Sequence, residues 1–323
     1  MKMFRWLDGR GLVVGLLLTA PILARADFYI SNGDFVGRYD QSGAVINGSL
    51  ISVNGATGLA FGSDGNLYVA SPTYSFITAA GIGIFNPITG ASQGTFVDHV
   101  SDNSLNNPQG ISFSNGKLYV ADGTAGNIFV YNSSGTHLST LSDPSLNTPY
   151  GLSFNHSGTL YTADIGQGNV LSYNGTAFTR VNSQPGVLTA ARDVTGGNDG
   201  FLYALDSSGT GGIFKLSLSD GSAQKIIDYS TSSFFASNLT LGSDGSLYVT
   251  GQDNGEGEVL RYGTDGSGGN VFVDLGFNSN PSYIVESVPE PSAPLLALLG
   301  AGVASLASDS PSAGPDPRRI KGV

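Results

Sequence analysis

The stretch Pro108-Gln109-Gly110-Ile111-Ser112-Phe113-Ser114-Asn115-Gly116-Lys117-Leu118-Tyr119-Val120-Ala121-Asp122 decides the reading of this chain. Two runs of strand-favouring residues flank Asn115-Gly116, a pair that accepts positive φ and reads as a tight hairpin. The second run carries Gly-x-Leu-Tyr, and that phrase recurs. It returns as Gly65-Asn66-Leu67-Tyr68, Gly158-Thr159-Leu160-Tyr161, Gly200-Phe201-Leu202-Tyr203 and Gly245-Ser246-Leu247-Tyr248, with a reduced copy at Phe28-Tyr29-Ile30. The repeated tyrosines therefore recur about every 40–50 residues, the period of a repeat architecture.

Each unit has the same anatomy. In the unit quoted above, the two runs are followed by Ile128-Phe129-Val130-Tyr131 and Leu138-Ser139-Thr140-Leu141. Four short strands with no helical period between them describe one blade of a β-propeller. Asp64-Gly65, Asp199-Gly200 and Asp244-Gly245 repeat the hairpin signal. Five complete units leave fragments at both ends. The start supplies Phe28-Tyr29-Ile30, Phe35 to Tyr39 and Ala44-Val45-Ile46. The end supplies Asn280-Pro281-Ser282-Tyr283-Ile284-Val285, an echo of Asn107-Pro108-Gln109-Gly110-Ile111. The expected fold is all-β: a six-bladed β-propeller with one blade closed by N- and C-terminal strands, which leaves no open sheet edge around the circle. The repeated tyrosines lie within a central strand, so most are expected to pack between blades.

The unit resembles the NHL-repeat class of propellers. The likeness rests on the Pro-x-Gly-(Ile/Leu)-x-Phe lead-in, the Gly-x-Leu-Tyr-Val-Ala-Asp strand and the Asn-x-Ile-x-Val-(Tyr/Phe) strand, and it covers residues 27 to about 287. It implies the fold; such propellers serve as binding platforms, lyases and lactonases, so the fold leaves function open.

The 323 residues include 47 Gly, no Cys and only 12% charged residues, a mixture suited to short strands and tight turns. Redox chemistry at sulfur is excluded. The formal charge is −11; residues 1–26 carry Lys2, Arg5, Arg10 and Arg25 against Asp8, a net of +3, so the remainder carries −14. Such acidity repels phosphate backbones and excludes nucleic acid as an expected partner. It fits general solubility or affinity for cations.

Both ends read as addresses. Residues 1–26 have a basic start, an apolar run from Gly11 to Ala20 and the small-x-small site Ala24-Arg25-Ala26, the pattern of a cleaved signal peptide. Residues 27–288 are then the propeller. Residues 289–323 begin with Pro289-Glu290-Pro291, continue through an apolar run from Ala293 to Ala307 and end near Arg318, Arg319 and Lys321. This tail resembles the PEP-CTERM sorting signal of Gram-negative bacteria. That resemblance implies export, handling by an exosortase, transient membrane contact through the tail, and a place at the cell surface or in the extracellular matrix. The apolar run is short for that class, and Asp309 and three prolines separate it from the arginines. The alternative is a Pro/Ala-rich tail with no sorting role.

Familiar catalytic motifs are missing: there is no Gly-x-x-x-x-Gly-Lys-Ser/Thr loop and no Gly-x-Ser-x-Gly elbow. His99, His137 and His156 fall in different units and suggest neither a zinc site nor a triad. The repeat itself locates better candidates. Three residues after the tyrosine stand Asn32, Ser71, Asp122, Asp164, Asp206 and Gly251. Asp122, Asp164 and Asp206 thus occupy one equivalent corner, where they either cap a turn through backbone N–H groups or hold a divalent cation such as Ca²⁺. Just before the first strand come Thr57, Gln109, Tyr150, Arg192 and Ser237, followed by Gly58, Gly110, Gly151, Asp193 and Asn238. Gln109, Tyr150, Arg192, Asp193 and Asn238 are the expected ligand-binding mouth. For Arg192, Asp193 and Asn238 two readings stand: lining an axial funnel, or a buried polar contact between blades. The loop from Asp253 to Glu258 is expected on the same face, solvated.

No catalytic residue emerges from this pattern. The expected function is an exported, non-catalytic binding platform for a matrix exopolysaccharide or another surface protein, with no cofactor beyond Ca²⁺. One alternative is a metal-dependent hydrolase or lyase resembling the gluconolactonase or streptogramin-lyase propellers, with Asp193 and Asn238 at its mouth. Another is a purely structural matrix component.

Overall fold

The computed structural model describes residues 5–8, 11–14, 26–74, 79–99, 105–196 and 199–287. All regular elements among them are strands. The chain divides into two compact units, Met1–Arg25 with Val288–Val323, and Ala26–Ser287. In the first, Arg5–Asp8 pairs antiparallel with Gly11–Val14. Pro289, Glu290, Pro291 and the apolar run behind them lie outside the described residues, as does most of the leader.

The second unit is a ring of six four-stranded antiparallel sheets. The innermost strands are, in order around the ring, Pro281–Glu286, Leu59–Phe61, Pro108–Ser114, Pro149–Phe154, Ala191–Gly196 and Phe234–Leu241. Each touches the next, and Pro281–Glu286 touches Leu59–Phe61 and Phe234–Leu241, so the circle closes. The first blade in chain order is the composite one: Pro281–Glu286 pairs with Phe28–Asn32, then come Phe35–Tyr39 and Val45–Ser52. Its register sets Ile284 opposite Ile30 and Glu286 opposite Phe28, the same stagger that sets Ile111 opposite Val120 in the third blade. The six-bladed, end-closed propeller expected from the repeat is therefore the architecture of the molecule.

The hairpins between first and second strands form where the sequence places Gly. Gly65, Gly116, Gly158, Gly200 and Gly245 all hold φ between 69° and 83°, backbone that a residue with a Cβ adopts only at a cost.

The hydrophobic core lies between blades rather than within them. Six buried clusters each draw on two neighbouring blades. The repeated tyrosine is the recurring part. Tyr29, Tyr68 and Tyr119 meet Phe61, Phe113 and Phe154 of the next blade edge-to-face, with ring centroids 5.2, 4.7 and 4.9 Å apart. Their hydroxyls are used too. Tyr68, Tyr203 and Tyr248 donate to Asp64, Asp199 and Asp244 of their own hairpins at 3.1, 2.8 and 3.0 Å. Burial pushes the Tyr68 phenol up to about 12, helped by the Asp64 charge beside it. Burial also works against the Asp64 carboxylate, but hydrogen bonds from Asn66 and Tyr68 outweigh it and hold that carboxyl below its usual value.

One local irregularity positions the centre of the ring. The register slips between Pro108 and Ile111, Pro149 and Leu152, Ala191 and Asp193, Ala236 and Asn238, and Pro281 and Tyr283. In the second blade Thr57 donates to the Ala70 carbonyl while Ala70 donates to Gly58, two residues against one. A bulge at the entry of each inner strand re-aims the residues in it and just after it. Those residues are the mouth candidates.

Candidate functional site

The corner carboxylates are held by backbone donors of their own blades. Asp122 accepts from the N–H groups of Asn106 and Asn107 at 2.6 and 2.8 Å on one oxygen, and from Thr124 and Ala125 at 3.1 and 2.9 Å on the other. Asp164 accepts from Asn147, Thr148 and Gln167 at 2.7, 3.1 and 2.9 Å. Asp206 accepts from Thr189, Ala190 and Ser208 at 2.5, 3.2 and 2.8 Å. All three are buried. Each ties the loop entering its inner strand to the turn after its second strand, which is the capping role. The three stand on separate blades, and among the described residues no three acidic or histidine side chains gather as a cation site.

Several of the lead-in residues link neighbouring blades. Thr57 donates to the Pro108 carbonyl at 2.9 Å, and Ser282 to that of Ala56 at 2.8 Å. Gln109 is buried and donates to Asn107 at 2.7 Å within its own loop. Arg192 spans three blades. Its guanidinium stacks on Tyr150 at 4.5 Å from the ring centre, donates to the Tyr150 hydroxyl at 3.0 Å and donates through Nε to the Ser237 carbonyl at 2.9 Å.

One residue further along, the six blades carry Gly58, Gly110, Gly151, Asp193, Asn238 and Tyr283. The glycines are forced by contact. A Cβ on Gly58 would lie 2.1 Å from the Gln109 carbonyl oxygen, one on Gly110 2.4 Å from that of Tyr150, and one on Gly151 1.9 Å from an Asp193 carboxylate oxygen. The other half of the ring is joined by side chains. Asp193 Oδ1 accepts from the Val194 N–H at 2.9 Å, and Oδ2 from the Leu239 N–H at 2.8 Å and from the Asn238 amide. Asn238 Oδ1 then accepts from the Ile284 N–H at 3.0 Å. Those N–H groups belong to inner edge strands and have no strand partner on the axial side, so the side chains supply one. The Asp193–Asn238 pair is therefore a buried contact between blades, one of the two roles expected of it.

Asp193 also faces the centre. Below its level an axial cavity of about 310 Å³ is lined by all six inner strands. Phe61, Phe113, Phe154, Val285 and Tyr283 give it aromatic and aliphatic wall, and Ser112, Ser153, Thr195 and Thr240 give hydroxyls. Asp193 is its one charged lining residue; Gln109, Tyr150, Arg192 and Asn238 stand outside it. Burial pushes the Asp193 carboxyl up to about 7, against the pull of the Leu239 and Val194 N–H groups, the Arg192 charge and the Asn238 amide. Burial likewise drives the Tyr283 phenol upward, reinforced by the Asp193 charge. Sequence reasoning missed Tyr283, which it read only as the closing strand. The signal was available, because Tyr283 occupies the Asp193 position of its own blade.

The acidic loop joins the extended strands Leu247–Asp253 and Glu256–Tyr262 of the last blade, where Asp253 pairs with Phe234 at the entry of the inner strand. Burial raises the Glu258 carboxyl, aided by Asp253, Asp274 and Glu256.

The class is thus a six-bladed β-propeller with a polar, interblade-linked axis and an axial cavity. No family model matches the chain, and no curated protein matches it in sequence. Solved structures match it in fold. A nidogen/laminin complex shares a TM-score of 0.64 at 16% identity, over 82% of this chain and 100% of that one. Virginiamycin B lyase from Staphylococcus aureus shares 0.52 at 15% identity, over 82% and 76%. A streptogramin B lyase shares 0.53 at 14% identity, over 83% and 75%.

Proposed function

We propose that this chain is an exported propeller that acts as a non-catalytic binding platform at the cell surface or in the extracellular matrix of a Gram-negative bacterium. Its sequence ends support the address: a signal-peptide pattern over 1–26 and a PEP-CTERM-like tail from Pro289. The export machinery and an exosortase are the partners that address implies, and an exopolysaccharide or a surface protein is the ligand. One observation carries the non-catalytic reading. The corner carboxylates Asp122, Asp164 and Asp206 each accept two or more backbone N–H groups. A carboxylate so engaged is a poor general base and a poor metal ligand, because its lone pairs already serve the fold. The axial cavity, with aromatic walls and hydroxyls, is the concave surface that suits a small saccharide unit.

The test is expression of the full chain in an exosortase-bearing Gram-negative host. Mass spectrometry of the surface fraction is expected to find a mature N-terminus at Asp27 and a tail cut near Pro289-Glu290-Pro291. The purified protein is expected to be retained on the host exopolysaccharide and to leave lactone and streptogramin substrates intact. Retention in the cytoplasm would refute the address, and turnover of either substrate would refute the platform.

A further inference from the structure

We infer that a cavity at the seam between the third and fourth blades binds a neutral saccharide, of the size of a disaccharide unit of a glycan. It lies among the strand-to-strand turns, on the face opposite the loops that enter the inner strands. The inference rests on the platform reading and adds a second site, which shares only Phe154 with the lining of the axial cavity.

The site begins with a break in the repeat. In five blades the glycine of the turn between third and fourth strands lies against a backbone carbonyl on the outer edge of the preceding blade. Gly43 meets Phe272, Gly90 meets Leu50, Gly135 meets Phe96, Gly221 meets Val181 and Gly266 meets Ile226, so closely that a Cβ would lie 2.0 to 2.3 Å from the oxygen. These contacts close five seams. In the fourth blade the equivalent Gly175 has open space where its Cβ would be. Its turn is shorter: the Asn174 N–H donates to the Ala177 carbonyl at 3.2 Å, whereas Asn132 of the third blade reaches one residue further, to Thr136 at 3.0 Å. The seam stays open there. It holds a cavity of about 450 Å³, walled by Tyr119 of the third blade and by both hairpins of the fourth.

Tyr119 is the second break. Of the repeated tyrosines, Tyr29, Tyr68, Tyr203 and Tyr248 donate their hydroxyls to Pro87, Asp64, Asp199 and Asp244, and Tyr161 accepts from Asn155 at 3.3 Å. The Tyr119 hydroxyl has no such partner among the described residues. Asn115 stands where three other blades carry Asp, and it turns its amide to Ser114 at 3.5 Å. The Phe154 edge holds the Tyr119 ring in place, so the hydroxyl is a fixed donor at the cavity wall. Burial raises that phenol, helped by Tyr173 nearby, and it keeps its proton.

The remaining lining is polar and uncharged. Asn174 accepts the Thr176 and Ala177 N–H groups on its oxygen, which leaves its amide nitrogen to donate elsewhere. Tyr173 donates to the Gly175 carbonyl at 2.8 Å, and its oxygen keeps the capacity to accept. Donors and acceptors side by side match sugar hydroxyls, each of which both donates and accepts. A charged ligand would find no counter-charge in the lining, and an anion would also meet the net charge of −11. The volume lies within the range of small-ligand sites.

The experiment is calorimetric titration of the full-length protein near neutral pH with three disaccharides: cellobiose, the glucosamine disaccharide and cellobiuronate. Cellobiose is expected to bind, and each charged sugar to bind about tenfold more weakly. Tyr119→Phe keeps the ring and its Phe154 contact and removes only the hydroxyl. It is expected to weaken cellobiose binding about fivefold, the worth of one hydrogen bond. Ser157→Trp fills the cavity from an exposed turn and is expected to abolish binding; it decides the matter if Tyr119→Phe fails to fold. Cellobiose affinity unmoved by these variants would overturn the seam as the site. Equal or tighter binding of a charged sugar would overturn the neutral ligand. Silence toward all three sugars would overturn the inference. Retention of the wild type on exopolysaccharide judges the platform independently, so failure of this site and failure of the platform are told apart.

Discussion

Asp193→Asn isolates the cost of keeping a carboxylate inside the ring. The unfolded carboxyl ionises near its usual value of 3.8, and burial lifts the folded one to about 7. Between those limits the native state holds a proton that the unfolded state has released. Stability therefore falls as pH rises through that window, by ~1.4 kcal/mol per pH unit. Across the whole window this amounts to about 4 kcal/mol, a large part of a domain's margin. Asn cannot titrate, and its amide meets the Val194 or Leu239 N–H as a second donor, so the variant carries a fixed penalty that does not change with pH. Two groups act on it from nearby: Arg192, whose charge favours the anion, and Tyr283, whose raised phenol stays neutral throughout. Asp64, Asp199 and Asp244, held low by their hydrogen bonds, titrate alike in both proteins and cancel in the difference. The assay is urea unfolding of wild type and variant, without ligand, from about pH 4.5 to about pH 7.5. The wild type is expected to lose about 3 kcal/mol or more relative to the variant across that range. A difference that stays constant with pH would refute the placing of Asp193 as a buried carboxylate with a raised proton affinity.

Replacing the corner carboxylates tests the capping role: Asp122→Ala leaves four backbone N–H groups without their acceptor and is expected to cost roughly 3 kcal/mol in urea unfolding, with Asp164→Ala and Asp206→Ala similar. A cost near zero would mean those donors are met by water. Gly110→Ala places a Cβ against the Tyr150 carbonyl and is expected to cost about 3 kcal/mol, whereas Gly200→Ala meets open space and pays only for its left-handed backbone, about 1–2 kcal/mol; equal losses would contradict the tight seam between blades. Phe113→Ala removes the edge partner of Tyr68 and is expected to cost about 3 kcal/mol, a loss that Phe113→Leu largely restores. Thermal melting in Ca²⁺ and in chelator is expected to give the same midpoint, because the corner oxygens are already taken by N–H donors; a clear upward shift with Ca²⁺ would return those carboxylates to the list of ligands.

What could be read from the residues alone, and what could not, divides along a physical line. Asn115-Gly116 and its counterparts specify backbone conformation locally, so hairpins, blade count and the closing strand at Tyr283 followed from short-range chemistry. Asp122, Asp164 and Asp206 were legible as one corner because the repeat superposes them, and their capping partners lie within the same blade. The axis is different. Whether Asp193 faces solvent, a neighbour or a cavity depends on the spacing between blades, and no single blade encodes that spacing. It emerges when Gly58 and Gly110 let two seams close on backbone carbonyls and Gly151 makes room for the Asp193 carboxylate, while Asp193 and Asn238 join the seams that follow. Gly at that position and Asp or Asn at that position are thus two solutions to one problem, the unpaired N–H groups and close approach of inner edge strands. A ring that used either solution six times would be symmetric. Using three glycines on one side and Asp193, Asn238 and Tyr283 on the other makes the axis chemically one-sided, and a one-sided axis can orient an asymmetric ligand.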